Sequence, residues 1–169
     1  MSGSAPRGSD APRRPEILIA RAPDGWTLTA RTLVRRPLPD VFAFFADCRN
    51  LEALTPPELR FRILTPDAHE VREGLRIDYQ LRIWGIPFQW QSLISAWEPG
   101  RRFVDEQTRG PYRRWHHEHR FEAAGDGTIV TDQVDYSVPG GAIAHLVVRP
   151  QLMRIFRYRA ERLAELLEG

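Results

Sequence analysis

At 169 residues, 42% of them hydrophobic, the chain can bury one sizeable core, and one domain is the expectation. Its net charge is only +2: 24 basic residues, all arginine, are interspersed with 22 acids, which excludes the clustered positive field of a nucleic-acid groove. No apolar run approaches the roughly 20 residues of a membrane span, and the lone Cys48 excludes a disulfide framework or a CxxC metal site.

Residues 1–15, "MSGSAPRGSDAPRRP", lack an apolar stretch and are read as a disordered tail, not a secretory signal. The domain is expected over residues 16–169. A reducing cytoplasm suits the single thiol, and Cys48, after the apolar "VFAFFAD", reads as a small buried side chain. "GWTLTARTLV" alternates as a strand does. Pro39 suits a first helical turn, and Val41, Phe42, Phe44 and Phe45 mark a short apolar helix. Asn50 offers a cap for a second short helix, "LEAL", stopped by Pro56 and Pro57. "LRFRILT" alternates again, with Leu59, Phe61 and Ile63 on one face.

A meander follows. In "LRIDYQLRIWG", Tyr79, Leu81 and Ile83 share the inward face. "IPFQWQSLISAW", "FVDEQT", "RRWHHEHRFEA" and "TIVTDQVDYSV" come next, separated by short turn signals as antiparallel hairpins require. The last segment changes period. Met153, Phe156, Ala160, Leu163 and Leu167 form an apolar stripe on a long helix, with Pro150 expected to kink it or to end a shorter helix before residue 149. Arg157 and Arg159 are read as ties to sheet carboxylates such as Glu106 or Asp135, and His145 carries no special role.

The order predicts an α+β fold: a curved antiparallel sheet of seven strands wrapped around a long C-terminal helix, with two short helices after the first strand. Over residues 25–168, "LEALTPPELRFRILTP", "GLRIDYQLRIWGIPFQW", "AWEPGRRFVDEQTRGPYRRWHHEHRFE", "GTIVTDQVDYSVPGG" and "IFRYR" resemble the SRPBCC (START/Bet v 1-like) helix-grip domains. Within them the chain is similar to the bacterial polyketide-cyclase/dehydrase-like group. The resemblance implies a hydrophobic pocket between sheet and helix. It does not imply one activity, because members bind lipids, carry aromatic polyketides or cyclise them.

"WHHEHRF" holds three of the five histidines. On a strand, Trp115, His117, His119 and Phe121 share a face, and the two apolar ends turn that face inward; His116, Glu118 and Arg120 face out. Phe103 brings Asp105 and Gln107 inward. Val130, Val134 and Tyr136 bring Asp132. The turns set Asp105 opposite His117, His119 opposite Asp132, and His117 opposite Val134.

Three chemistries fit this set. An H-x-H pair with a carboxylate is a legitimate shell for zinc or iron, but no third His or Cys is placed by spacing, so no metal and no cofactor are expected. A His–Asp pair can move protons next to a carbonyl, making His117, His119, Asp105 and Asp132 the catalytic candidates of a cyclase or dehydratase. The same pairs can simply satisfy each other and give an apolar pocket polar anchors. This last reading is preferred. The expected partner is a small hydrophobic molecule, lipid-like or aromatic, held by Tyr79, Leu81, Ile83, Trp90, Phe103 and Gln107, by Trp115, His117, His119, Phe121, Val134 and Tyr136, and by Met153, Phe156 and Ala160 of the helix. Tryptophans 84, 90, 97 and 115 could stack on a planar ligand. Neither nucleic acid nor stable membrane insertion is expected. A monomer or weak homodimer is, and a protein-interaction module without a ligand is the remaining alternative.

Overall fold

The computed structural model describes residues 15–65 and 69–169; the tail expected over 1–15 lies outside them except for Pro15. The elements run β1 (Glu16–Ala22), β2 (Gly25–Val34), α1 (Leu38–Ala46), α2 (Asn50–Ala53), a 3-10 turn (Pro57–Leu59), β3 (Arg62–Ile63), β4 (Arg76–Ile83), β5 (Ile86–Glu98), β6 (Arg102–Arg109), β7 (Arg114–Ala124), β8 (Gly127–Ser137) and α3 (Gly141–Glu168). One antiparallel sheet has the order β1-β2-β8-β7-β6-β5-β4-β3. The helix-grip architecture is as expected, with eight strands instead of seven.

The additional strand is β1, "EILIARA". It hairpins onto β2 from Glu16↔Arg31 to Ala22↔Gly25. Gly25 closes the turn at φ +147, where a Cβ would meet the Tyr136 carbonyl at 2.2 Å. Ile17 and Ile19 turn toward Trp26 and Leu28 while Leu18 stays exposed, so only half of this edge strand has a core to bind.

"LRFRILT" keeps only a two-residue strand. Leu59 ends the 3-10 turn and Arg60 takes a left-handed φ of 44°, which breaks the alternation. Leu59 and Phe61 are nevertheless both buried. Asn50 is not a cap for α2. Its side-chain amide donates to the Phe44 carbonyl at 2.8 Å and so closes the end of α1, while the Asp47 carboxylate accepts from the Arg49 backbone N–H at 3.0 Å.

Pro150 neither breaks nor ends the helix: α3 runs unbroken through it. Its ring lies on the exposed side, so the lost hydrogen bond falls on solvated backbone. Pro150→Ala is expected to raise stability by about 2 kcal/mol. Relief of the helix-interior penalty, about 3 kcal/mol, is offset by about 0.4–1 kcal/mol of unfolded-chain entropy. A denaturant titration that shows no gain would mean that α3 already accommodates the ring without cost.

The buried face of α3 is His145, Leu152, Phe156, Arg159, Ala160 and Leu163. The expected stripe is therefore rotated: Met153 and Leu167 are only half-buried, and Leu152 and Arg159 take the central positions. Two apolar clusters result. One joins α1 to the far sheet through Phe42, Phe45, Phe103 and Phe121. The other packs Trp26, Leu28, Val134, Tyr136, Leu152 and Phe156 where α3 crosses the near sheet. Among the described residues, no helix is long and apolar enough to cross a membrane.

Candidate functional site

A cavity of about 190 Å³ is bordered by the sheet, α1–α2 and α3. The structure places Tyr79, Leu81, Ile83, Trp90 and Phe103 on its wall, together with Trp115, His117, His119 and Phe156. Asp105 lines it too. Six expected contacts do not. Gln107 is turned onto the "RGPY" loop, donating to the Tyr112 carbonyl at 2.7 Å and accepting from its N–H at 3.2 Å. Phe121 packs edge-on against Phe42 and Phe45. Val134 and Tyr136 belong to the cluster under α3, where the Tyr136 hydroxyl meets His145 Nδ1 at 3.3 Å. Met153 and Ala160 lie off the cavity because the helix presents Leu152, Ile155, Phe156 and Arg159 instead.

Trp84 is also off the wall. It sits in the β4–β5 turn with Gly85, both at positive φ, and is 60% exposed. Trp97 packs on Phe42 and Phe103. The irregularity between Ile94 and Ala96 in the β5–β6 pairing lets Trp97 share a side with Trp90, Ser92 and Ile94 despite its odd number. His145, left without a role by the sequence, is buried and stacked on Trp26 at 3.9 Å with planes 3° apart.

The polar wall comes from the three expected strands. Asp105 pairs with His117 across β6–β7, and His119 with Asp132 and His117 with Val134 across β7–β8. Short turns leave the register little freedom. His119 bridges both carboxylates: Nε2 lies 3.0 Å from Asp105 Oδ2, and Nδ1 lies 2.7 Å from Asp132 Oδ1. His117 spans the same pair at 3.4 Å (Nδ1 to Asp105 Oδ2) and 3.1 Å (Nε2 to Asp132 Oδ1). The two rings lie 3.8 Å apart. On the outer face His116 meets Glu106 at 2.8 Å, and Glu118 binds Arg102 and Arg120.

The cation of this cluster is Arg159. Its Nε approaches Asp132 Oδ2 at 3.4 Å without hydrogen-bond geometry, so this buried N–H has no hydrogen-bond partner among the described residues. Neither expected tie exists for it, because Glu106 and Asp135 face the other side, where Asp135 accepts from Thr27 at 2.6 Å. Arg157 is exposed. A hydrogen-bond chain continues along the wall: the Tyr79 hydroxyl and Trp90 Nε1 meet Ser92 Oγ at 2.9 and 3.2 Å, and Ser92 Oγ donates to Asp105 Oδ1 at 3.4 Å.

Burial opposes charge on every member, and the neighbours decide the outcome. For Asp132, burial is outweighed by the Arg159 guanidinium and the two imidazoles, which hold its carboxyl well below the usual range. Asp105 is also lowered: burial acts upward, and the imidazole pair, with Arg159 behind it, acts downward more strongly. Burial pushes His119 down, but its hydrogen bonds to Asp105 and Asp132 raise it above an ordinary histidine. His117 is lowered by burial and by the charge on His119. The pair thus titrates as a unit, and the first proton goes to His119. With His119 protonated, two carboxylates, one imidazolium and one guanidinium sum to zero. Tyr79, buried beside Asp105, is raised well above the usual phenol and stays a neutral donor.

The comparisons with known proteins agree with this architecture. No curated protein matches the chain. A crystal structure of a protein from Mycobacterium smegmatis superposes with a TM-score of 0.67 at 19% identity, covering 90% of this chain and 98% of the other. A START superfamily protein from the same organism gives 0.63 at 13%, covering 84% and 97%. A solution structure from Arthrobacter aurescens gives 0.70 at 14%, covering 89% and 91%. These likenesses show the START-type helix-grip fold. The family model described as "Polyketide cyclase / dehydrase and lipid transport" matches residues 34–164, most of the chain, and the protein therefore belongs to that family, within the SRPBCC superfamily.

Proposed function

We propose that the protein binds a small, neutral, largely apolar molecule in the cavity beneath α3, with one hydrogen-bonding head turned to the histidine–carboxylate wall. The observation that carries this reading is the composition of the cavity. Leu54, Phe61, Ile77, Leu81, Trp90 and Phe156 give it an apolar body, and its polar groups converge on one side around Asp105, His117, His119 and Arg159. A volume of about 190 Å³ exceeds the roughly 150 Å³ that accepts a benzene ring in an engineered apolar cavity. That favours a compact aromatic or short polyketide-like body over a whole lipid. Because the core is not filled, a ligand-free interaction module is the weaker reading. The test is native mass spectrometry of the purified protein, with thermal shifts across a panel of small aromatics, polyketide-like compounds and lipids. A retained mass or a shift confined to small aromatic members is the expected result; an empty protein that nothing shifts would overturn it.

One observation favours a second reading: the His119–Asp105 pair, 3.0 Å apart, faces the cavity. In that reading Asp105 and the imidazoles relay a proton to or from a bound carbonyl compound. It stands second because both nitrogens of each ring are already engaged within the cluster. Loss of turnover of a candidate β-polyketone in Asp105→Asn, with binding retained, would bring it first.

A further inference from the structure

We propose that Asp105, His117 and His119 form a binding site for one zinc-class divalent ion, with Asp132 as the carboxylate behind both imidazoles. This inference does not depend on the organic-ligand reading, because it concerns the ion alone.

The geometry has two layers. Each imidazole points one nitrogen at Asp132 and the other at Asp105. His117 Nε2 donates to Asp132 at 3.1 Å and His119 Nδ1 lies 2.7 Å from the same carboxylate, so His117 Nδ1 and His119 Nε2 are the nitrogens turned toward Asp105 Oδ2. Donor atoms of these three residues lie within 4.8 Å of one another. The Asp105 Oδ2 contacts to these two nitrogens are 3.4 and 3.0 Å. Ligands about 2.0–2.1 Å from a tetrahedral zinc stand about 3.3 Å apart, which these two separations bracket.

The surroundings suit a metal as well. Metal-bound histidines usually donate their other N–H to a carboxylate, which fixes the ring and raises its basicity. Asp132 does this for His117 and stands 2.7 Å from Nδ1 of His119. It lies behind them, while Asp105, His117 and His119 line the cavity, so a fourth coordination position would open onto the ligand space. Arg159 is placed against Asp132 and the Nδ1 side of His119, not the nitrogen that faces Asp105, so it neutralises the outer carboxylate without occupying the ion's position. Two nitrogens, one carboxylate oxygen and an open position match catalytic zinc sites and also accept Co²⁺ or Fe²⁺. On binding, the ion takes the place of the proton on His119 Nε2, which leaves to solvent.

The test uses the full chain, stripped by chelation and titrated with Co²⁺ and Zn²⁺ without organic ligand. The expected result is one saturable equivalent per chain, with the visible d–d absorption of low-coordinate cobalt. The NMR spectrum of the cobalt protein should show two exchangeable, hyperfine-shifted imidazole N–H resonances, one for each buried ring. Asp132→Asn should weaken binding about 10–100-fold while the cobalt spectrum persists. His116→Ala, one residue away but on the outer face, should leave affinity unchanged. Absence of saturable binding, fewer than two shifted N–H signals, or loss of binding in His116→Ala would overturn the site. The wild-type NMR result decides even where the Asp132 variant does not fold.

Discussion

His119→Ala is expected to lower the melting temperature by roughly 6–20 °C. The imidazolium is buried between Asp105 at 3.0 Å and Asp132 at 2.7 Å. Removing it leaves two buried carboxylates to share the single charge of Arg159. Breaking a buried ion pair by deleting one partner costs about 3–5 kcal/mol, and each kcal/mol moves the melting point of a domain this size by about 2–4 °C. The control is His116→Ala. That ring is about one-third exposed and meets Glu106 on the outer face. Exposed pairs are worth about 0–1 kcal/mol, so its midpoint should move by a few degrees at most. Calorimetric scans of the two variants side by side make the comparison; equal shifts would sink the buried-pair account.

The histidine strand was legible because its determinants are local. Two-residue periodicity sorted Trp115, His117, His119 and Phe121 from their neighbours, and the short "AGDG" turn pinned β7 to β8. Arg159 was not legible in this way. A hydrophobic stripe on a helix marks apolar side chains, and a buried arginine looks like any other polar position until its carboxylate is known. That carboxylate, Asp132, lies on the neighbouring strand, and the rotation of α3 that joins them follows from Leu152 and Phe156 packing over Val134 and Tyr136. The wall formed by Leu51, Leu54 and Val71 was hidden for another reason: it comes from α2 and irregular chain, where no period identifies an inward face. Ser92 and Tyr112 depend on the shifted β5–β6 register and on Gln107 holding the loop, both tertiary outcomes. Sequence therefore named the carboxylates and imidazoles, and packing supplied the cation and half of the cavity.

The charge balance of that cluster makes the second large prediction, measured on chelated protein so that the proton, not a metal, occupies the site. In a series with one body and three heads, 2-naphthylmethanol is expected to bind about 100-fold or more tighter than either 2-naphthoate or 2-naphthylmethylammonium. The cluster already sums to zero, with Asp105 and Asp132 against His119 and Arg159. An ion entering the apolar cavity keeps its desolvation penalty of several kcal/mol without a free counter-charge, and every 1.4 kcal/mol is tenfold in affinity. An alcohol needs only hydrogen-bond partners, and Asp105 on the cavity wall can accept a hydrogen bond from its O–H. Titration calorimetry across the three compounds reads the effect. Arg159→Met removes one positive charge from the balance and should narrow the gap between the alcohol and the ammonium while widening that between the alcohol and the carboxylate. Tight binding of 2-naphthoate by the wild type would mean that Arg159 acts as an anion receptor, and the neutral-ligand assignment would fall with it.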